Sequence, residues 1–185
     1  VSKNRSLKDI MPCILEEKHR LFGENRIQEA EKKFVPDVIS NFDISLHLIG
    51  PLQTNKVDKA LSLFNTIQTV DRPKLVNEIY KSIQKQKFPI VTQNFYLQVN
   101  IGNEPQKSGI LVDELLELYD KCLKFNLNII GLMCIPPANV QPDPYFEKML
   151  ILRDDLNPNL KLSMGMSNDY EVALKFNSDI VRIGS

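Results

Sequence analysis

The sequence predicts a (β/α)8 barrel of the TIM type, and three observations predict it. Strand-like runs and amphipathic helical patterns alternate along the whole chain. Several of the runs, such as Leu46-His47-Leu48-Ile49 and Ile129-Ile130-Gly131-Leu132-Met133, are almost continuously apolar, as parallel strands buried on both faces must be. No Gly-x-Gly-x-x-Gly follows any of them, which counts against the runner-up, an open doubly wound sheet.

Eight strands are expected in order: Val1–Lys3, Arg20–Gly23, Leu46–Gly50, Leu63–Val70, Phe95–Ile101, Ile129–Ile135, Lys161–Met166 and Ile180–Gly184. Helical patterns separate them. Leu7–Lys18 carries Leu7, Ile10, Met11, Ile14 and Leu15 on one face, and Asn25–Phe34 groups Ile27, Ala30 and Phe34. A helix with Lys56 and Lys59 on its solvated face follows the third strand. Arg72–Lys85 presents Leu75, Val76, Ile79 and Ile83, with Asp71 and Pro73 as start signals. Val112–Phe125, Tyr145–Leu152 and Asp169–Phe176 complete the set, and Pro136–Pro144 is a proline-rich loop. Barrels of this kind run to about 250 residues, and this chain has 185. The expectation is therefore one domain over 1–185 that is truncated at both ends, lacking the first helix, most of strand 1 and the last helix.

The charges narrow the function. Lys and Arg number 23, as do Asp and Glu, so no net field recruits nucleic acid or an acidic membrane. Apolar residues at 43% and charged residues at 25% are globular values, which excludes wholesale disorder. No apolar run approaches the roughly 18 residues of a membrane span. Three widely spaced cysteines (Cys13, Cys122, Cys134) without a Cys-x-x-Cys, and no signal peptide, point to a reducing cytoplasm. The cysteines read as small core residues. His19 and His47 form no metal-ligand pattern, and His47, inside an apolar run, reads as a satisfied core histidine.

In barrels, chemistry collects at the C-terminal ends of the strands. The seventh expected strand ends Ser163-Met164-Gly165-Met166-Ser167-Asn168-Asp169 and leads into a helix, and the eighth ends Arg182-Ile183-Gly184-Ser185. Loops after strands 7 and 8 are the recurring phosphate site of the fold. Backbone N–H groups and the Ser167 and Ser185 hydroxyls would face the anion, and Gly184 would permit close approach. Ser167 and Asn168 read equally as a helix cap, with Asn168 and Glu171 forming a capping box. A cap position can also bind phosphate. Gly165, between two methionines, indicates something packed close against the strand. Glu24 and Asn25 are either polar site groups or, for Asn25, a cap. A lone lysine such as Lys3 is ordinarily a solvated charge. At the barrel mouth, its amine is also what Schiff-base chemistry needs.

These segments form an ordered set: Val1-Ser2-Lys3, Phe22-Gly23-Glu24-Asn25-Arg26-Ile27-Gln28-Glu29, His47-Leu48-Ile49-Gly50-Pro51-Leu52-Gln53-Thr54-Asn55-Lys56, Gln98-Val99-Asn100-Ile101, Lys107-Ser108-Gly109, Gly131-Leu132-Met133, Leu162-Ser163-Met164-Gly165-Met166-Ser167 and Val181-Arg182-Ile183-Gly184. The set resembles the pyridoxal phosphate homeostasis protein family, single-domain relatives of the alanine racemase N-terminal barrel. The resemblance implies pyridoxal 5′-phosphate (PLP) held as a Schiff base on Lys3. It implies that Ser167, Gly184 and Ser185 hold the phosphate, that Arg182 faces the pyridine nitrogen, and that Asn25 and Met164 flank the ring. The family usually has Thr where this chain has Ser185, which keeps the hydroxyl.

Three functions compete. The first is a cytoplasmic PLP binder in PLP homeostasis, with no catalytic residue and no turnover of its own. It would be a monomer or weak dimer that buffers or delivers cofactor to PLP-dependent apo-enzymes and affects amino-acid and keto-acid balance. The second is a small PLP-dependent amino-acid racemase. The third is a barrel that uses the strand 7 and 8 phosphate site for another phosphorylated metabolite.

Overall fold

The computed structural model describes residues 1–85 and 87–184. Seven parallel strands form one sheet in chain order: β1 (Leu21–Glu24), β2 (Ser45–Leu48), β3 (Thr66–Val70), β4 (Asn94–Val99), β5 (Ile129–Cys134), β6 (Lys161–Met166) and β7 (Ile180–Arg182). A doubly wound sheet reverses its strand order at a switch point. Here every strand pairs with its successor, so the sheet curls in one direction into a nearly closed barrel.

Eight α-helices are present among the described residues: α1 (Leu7–Leu15), α2 (Ile27–Lys33), α3 (Pro36–Phe42), α4 (Val57–Leu63), α5 (Pro73–Lys85), α6 (Leu115–Lys124), α7 (Asp143–Leu156) and α8 (Tyr170–Lys175). Seven match expected helices within a few residues at each end. The eighth, α3, was not foreseen. Its Pro36 sits in the first turn, where the missing N–H costs nothing, so the proline starts a helix rather than breaking one.

The first expected strand needs correction. Val1–Lys3 forms no strand, because a turn begins at Lys3. The Val1 amine donates to the Ile183 carbonyl just past β7, and the Ser2 N–H donates to Gly23 of β1 at 3.0 Å. Lys3 and Asn4 then turn away, with Asn4 in the left-handed region at φ 58°. These two bonds bridge the seam between β7 and β1.

Strand alternation divides the side chains into two sets. Leu46, Leu48, Ile67, Phe95, Leu97, Leu132 and Leu162 face outward and join Ile14, Leu61, Ile79, Leu118 and Phe146 of the helices in one core. The opposite face lines the barrel with polar groups, and His47, Gln68, Gln98, Ser163 and Arg182 are all buried. Cys122 and Cys134 are core residues as expected, and burial pushes each thiol up to about 12. Cys13 is exposed instead, on the outer side of α1.

Candidate functional site

Two of the expected phosphate donors, Ser167 and Gly184, meet at the seam. The Gly184 N–H points to Ser167 Oγ at 3.5 Å, joining the end of β7 to the loop after β6. Because Ser167 accepts there, its own hydroxyl proton remains free to donate. Ser185 lies outside the described residues.

The expected cap on α8 differs from the sequence reading. Asp169, not Asn168, holds the cap position, and Asn168–Glu171 form no capping box. The Asp169 carboxylate reaches back to the Met166 N–H at 2.6 Å and so ties down the loop that carries Ser167.

Both glycines singled out in the sequence are close-approach positions, but their neighbours are protein. A Cβ on Gly184 would lie 2.1 Å from the Val1 carbonyl oxygen, and one on Gly165, at φ +94°, would lie 2.6 Å from Ala173 Cβ in α8. Gly184 therefore admits the N-terminal segment, and through it Lys3, to the end of β7. Lys3 is exposed there. Asn25 is half-buried directly after β1, and its backbone is gripped by Gly50, where a Cβ would come within 2.2 Å of the Asn25 carbonyl oxygen.

Arg182 enters the barrel from β7 and anchors a chain of hydrogen bonds across the lumen. Its Nη2 donates to the Cys134 carbonyl at 2.7 Å and its Nη1 to Ser163 Oγ at 2.9 Å. Ser163 donates to Gln68 Oε1 at 2.6 Å, and Gln68 Nε2 meets His47 Nδ1 at 2.8 Å. Arginine has only donors, so it sets the direction of the whole relay and leaves His47 Nδ1 as the terminal acceptor. His47 must then be neutral. Burial agrees, since it lowers the His47 pKa from 6.5 to about 4. Burial also lowers the Arg182 pKa, against the opposing fields of Cys134 and Asp169, yet the guanidinium stays a cation at any ordinary pH.

Met164 is not at this mouth. It is fully buried in the outward-facing core, because Ser163 beside it takes the lumen and alternation sends Met164 to the helices. Gln68 and Ser163, which orient Arg182, were missed in the sequence. Thr66 and Gln68, two polar residues spaced by two within an expected strand, were the available signal for Gln68. Among the described residues, no group of three or more His, Cys, Asp or Glu side chains could hold a metal, and no helix is long and apolar enough to cross a membrane.

Comparison with known proteins agrees with this fold. The family model described as alanine racemase, N-terminal domain, matches residues 3–185. A pyridoxal phosphate homeostasis protein of Aquifex aeolicus is 39% identical over 90% of this chain and 75% of its own length. That of Haemophilus influenzae is 34% identical over the whole chain and 81% of its own length. PipY of Synechococcus elongatus, a COG0325 family member solved with PLP bound, superposes with a TM-score of 0.85 at 28% identity, covering 99% of this chain and 87% of its own. An alanine racemase of Clostridium difficile, at 12% identity, TM-score 0.68 and coverage of 95% of this chain and 46% of its own, shares the fold. The chain belongs to the alanine racemase N-terminal domain family, within its pyridoxal phosphate homeostasis protein branch.

Proposed function

We propose that this barrel binds PLP at the seam between β7 and β1 and acts in PLP homeostasis as a carrier without a turnover reaction of its own. The observation that carries the reading is the meeting of the Ser167 hydroxyl and Gly184 N–H beside the segment that bears Lys3. Two donors for an anion and one reachable primary amine are the set an aldehyde phosphate needs, so the residues present fit the group. When bound, the cofactor supplies an aldehyde that condenses with an amine, releasing water, and a ring that withdraws electrons.

Lys3 provides the amine, Ser167 and Gly184 the phosphate donors, with Ser185 adjoining them in sequence. Asn25 borders the ring and Arg182 faces its nitrogen. Arg182 donates and cannot accept a proton, so it holds a pyridine nitrogen unprotonated and leaves the ring a weak electron sink. Racemisation over such a ring requires a base on each face. Lys3 serves one. For the other, His47 is engaged by Gln68, and Tyr96 is buried in the barrel, where desolvation pushes its phenol above its usual pKa of 10.0. This favours the carrier over the small racemase. The free cysteines fit a reducing cytoplasm, and PLP-dependent apo-enzymes would be the recipients.

Borohydride reduction of the PLP-loaded protein, followed by peptide mapping, should fix a phosphopyridoxyl mass on Lys3, and Lys3→Ala should lose it. A label on Lys56 or Lys107 instead sinks the site. Incubation with L-alanine in D2O separates carrier from enzyme, and D-alanine formed at about 1–1000 per second would establish a racemase.

A further inference from the structure

Lys3 sits at the end of a segment with no ladder of its own, yet Schiff-base chemistry requires its amine to face the lumen. We propose that Glu24 and Lys33 are positioning residues that fix the facing of Lys3 by clamping Ser2 from outside the barrel. The inference rests on Lys3 being the PLP lysine.

Ser2 is 1% exposed, Glu24 0% and Lys33 6%. Ser2 Oγ donates to Glu24 Oε1 at 2.6 Å, Lys33 Nζ donates to the same oxygen at 2.5 Å, and Lys33 Nζ also donates to the Ser2 carbonyl at 2.5 Å. One carboxylate and one ammonium thus hold both the side chain and the backbone of a single residue. Glu24 lies at the end of β1 and Lys33 at the end of α2, so the clamp ties the N-terminal segment to two rigid elements.

The Arg5 N–H donates to the Ser2 carbonyl at 3.1 Å, so Ser2 opens the turn on which Lys3 follows. Holding the Ser2 side chain and carbonyl together therefore fixes the direction in which Lys3 leaves the segment. Val1 lines the lumen cavity of about 230 Å³ together with Gly23, His47, Gln68 and Arg182. The Glu24–Lys33 pair resists release of Ser2, because both charges are buried and each needs the other. Among the described residues, the bonds of Val1 and Ser2 across the seam are the further backbone ties of these two residues to the strands.

The test uses Lys33→Met, Lys33→Arg and Ser2→Ala with two readouts. Without PLP, hydrogen exchange of the Ser2 amide should accelerate at least about tenfold in Lys33→Met, with β4 and β5 unchanged, and about threefold in Ser2→Ala. With sub-saturating PLP and borohydride, the share of label on Lys3 should fall by similar factors, with the lost label on other lysines. Lys33→Arg, whose guanidinium can bridge Glu24 and the Ser2 carbonyl, should restore both. Exchange and labelling like wild type in Lys33→Met and Ser2→Ala would overturn the proposal. So would exchange rising equally in β4 and β5, which marks a merely structural role. If Lys33→Met does not fold, Ser2→Ala decides. A wild-type protein never labelled on Lys3 would instead sink the PLP site.

Discussion

The β4–β5 wall and the β7–β1 seam are opposite sides of one barrel and are built in opposite ways. β4 and β5 align five residue pairs, from Phe95 with Ile129 to Val99 with Cys134, and their outward Leu97 and Leu132 are wholly buried. At the seam the described residues contribute the bonds of Val1 and Ser2, and Leu21 and Ile183 beside it are 39% and 43% exposed. A wall paired along most of its length leaves few backbone donors for a ligand. The proposed PLP site, with Gly184, Ser167 and Lys3, lies at the seam instead, where fewer backbone bonds allow more local motion. On that proposal, stability and ligand binding draw on different halves of the molecule.

The largest expected effect lies in the wall. Leu132→Ala should cost about 2–5 kcal/mol in urea denaturation, because the site is closed on all sides and cannot collapse into the cavity. A loss below about 1 kcal/mol would mean that the wall is not the stable half.

The lumen relay gives the next effect. Between its folded pKa of about 4 and the ordinary 6.5, His47 binds fewer protons folded than unfolded. Stability should therefore fall as pH drops through that window, by at most about 3 kcal/mol, and this contribution should change no further below it. His47→Gln should remove that part of the pH dependence, and identical slopes for the two proteins would refute a buried neutral His47.

At the seam, Ser167→Ala should weaken PLP retention by about 1.5–3 kcal/mol, or roughly ten- to a hundredfold, in equilibrium dialysis. Unchanged affinity with lowered thermal stability would leave Ser167 a loop tie alone. Smallest of all, Ile183→Ala should change stability by under about 1 kcal/mol, because its side chain is already partly in water. A loss matching that of Leu132→Ala would erase the contrast between seam and wall.

Much of this contrast was legible in advance, and the exceptions have physical causes. The alternation of strand-like runs with helical patterns located all seven strands, and periodicity located every helix but α3, where a proline at the first turn reads as a stop as easily as a start. The loop donors followed from strand ends. Met164 did not, since being next to Gly165 in sequence says nothing about which face of β6 it takes until Ser163 is seen to bond Gln68. Nor did Lys33, which in sequence is one more lysine in the last turn of an amphipathic helix.

By itself, then, the sequence determined the alternation of strands and helices, the order of motifs that identifies the family, and the candidate amine and hydroxyl at strand ends. Tertiary structure alone decided that Val1 and Ser2 bridge the seam, that Arg182 heads a relay ending on a neutral His47, and that Glu24 and Lys33 meet over Ser2. The reason is one of range. Hydrophobic periodicity is written over a few residues and records which face of an element is buried. The contacts that orient Arg182 join residues as far apart as Gln68 and Ser163, and they exist only once the barrel has brought those faces together.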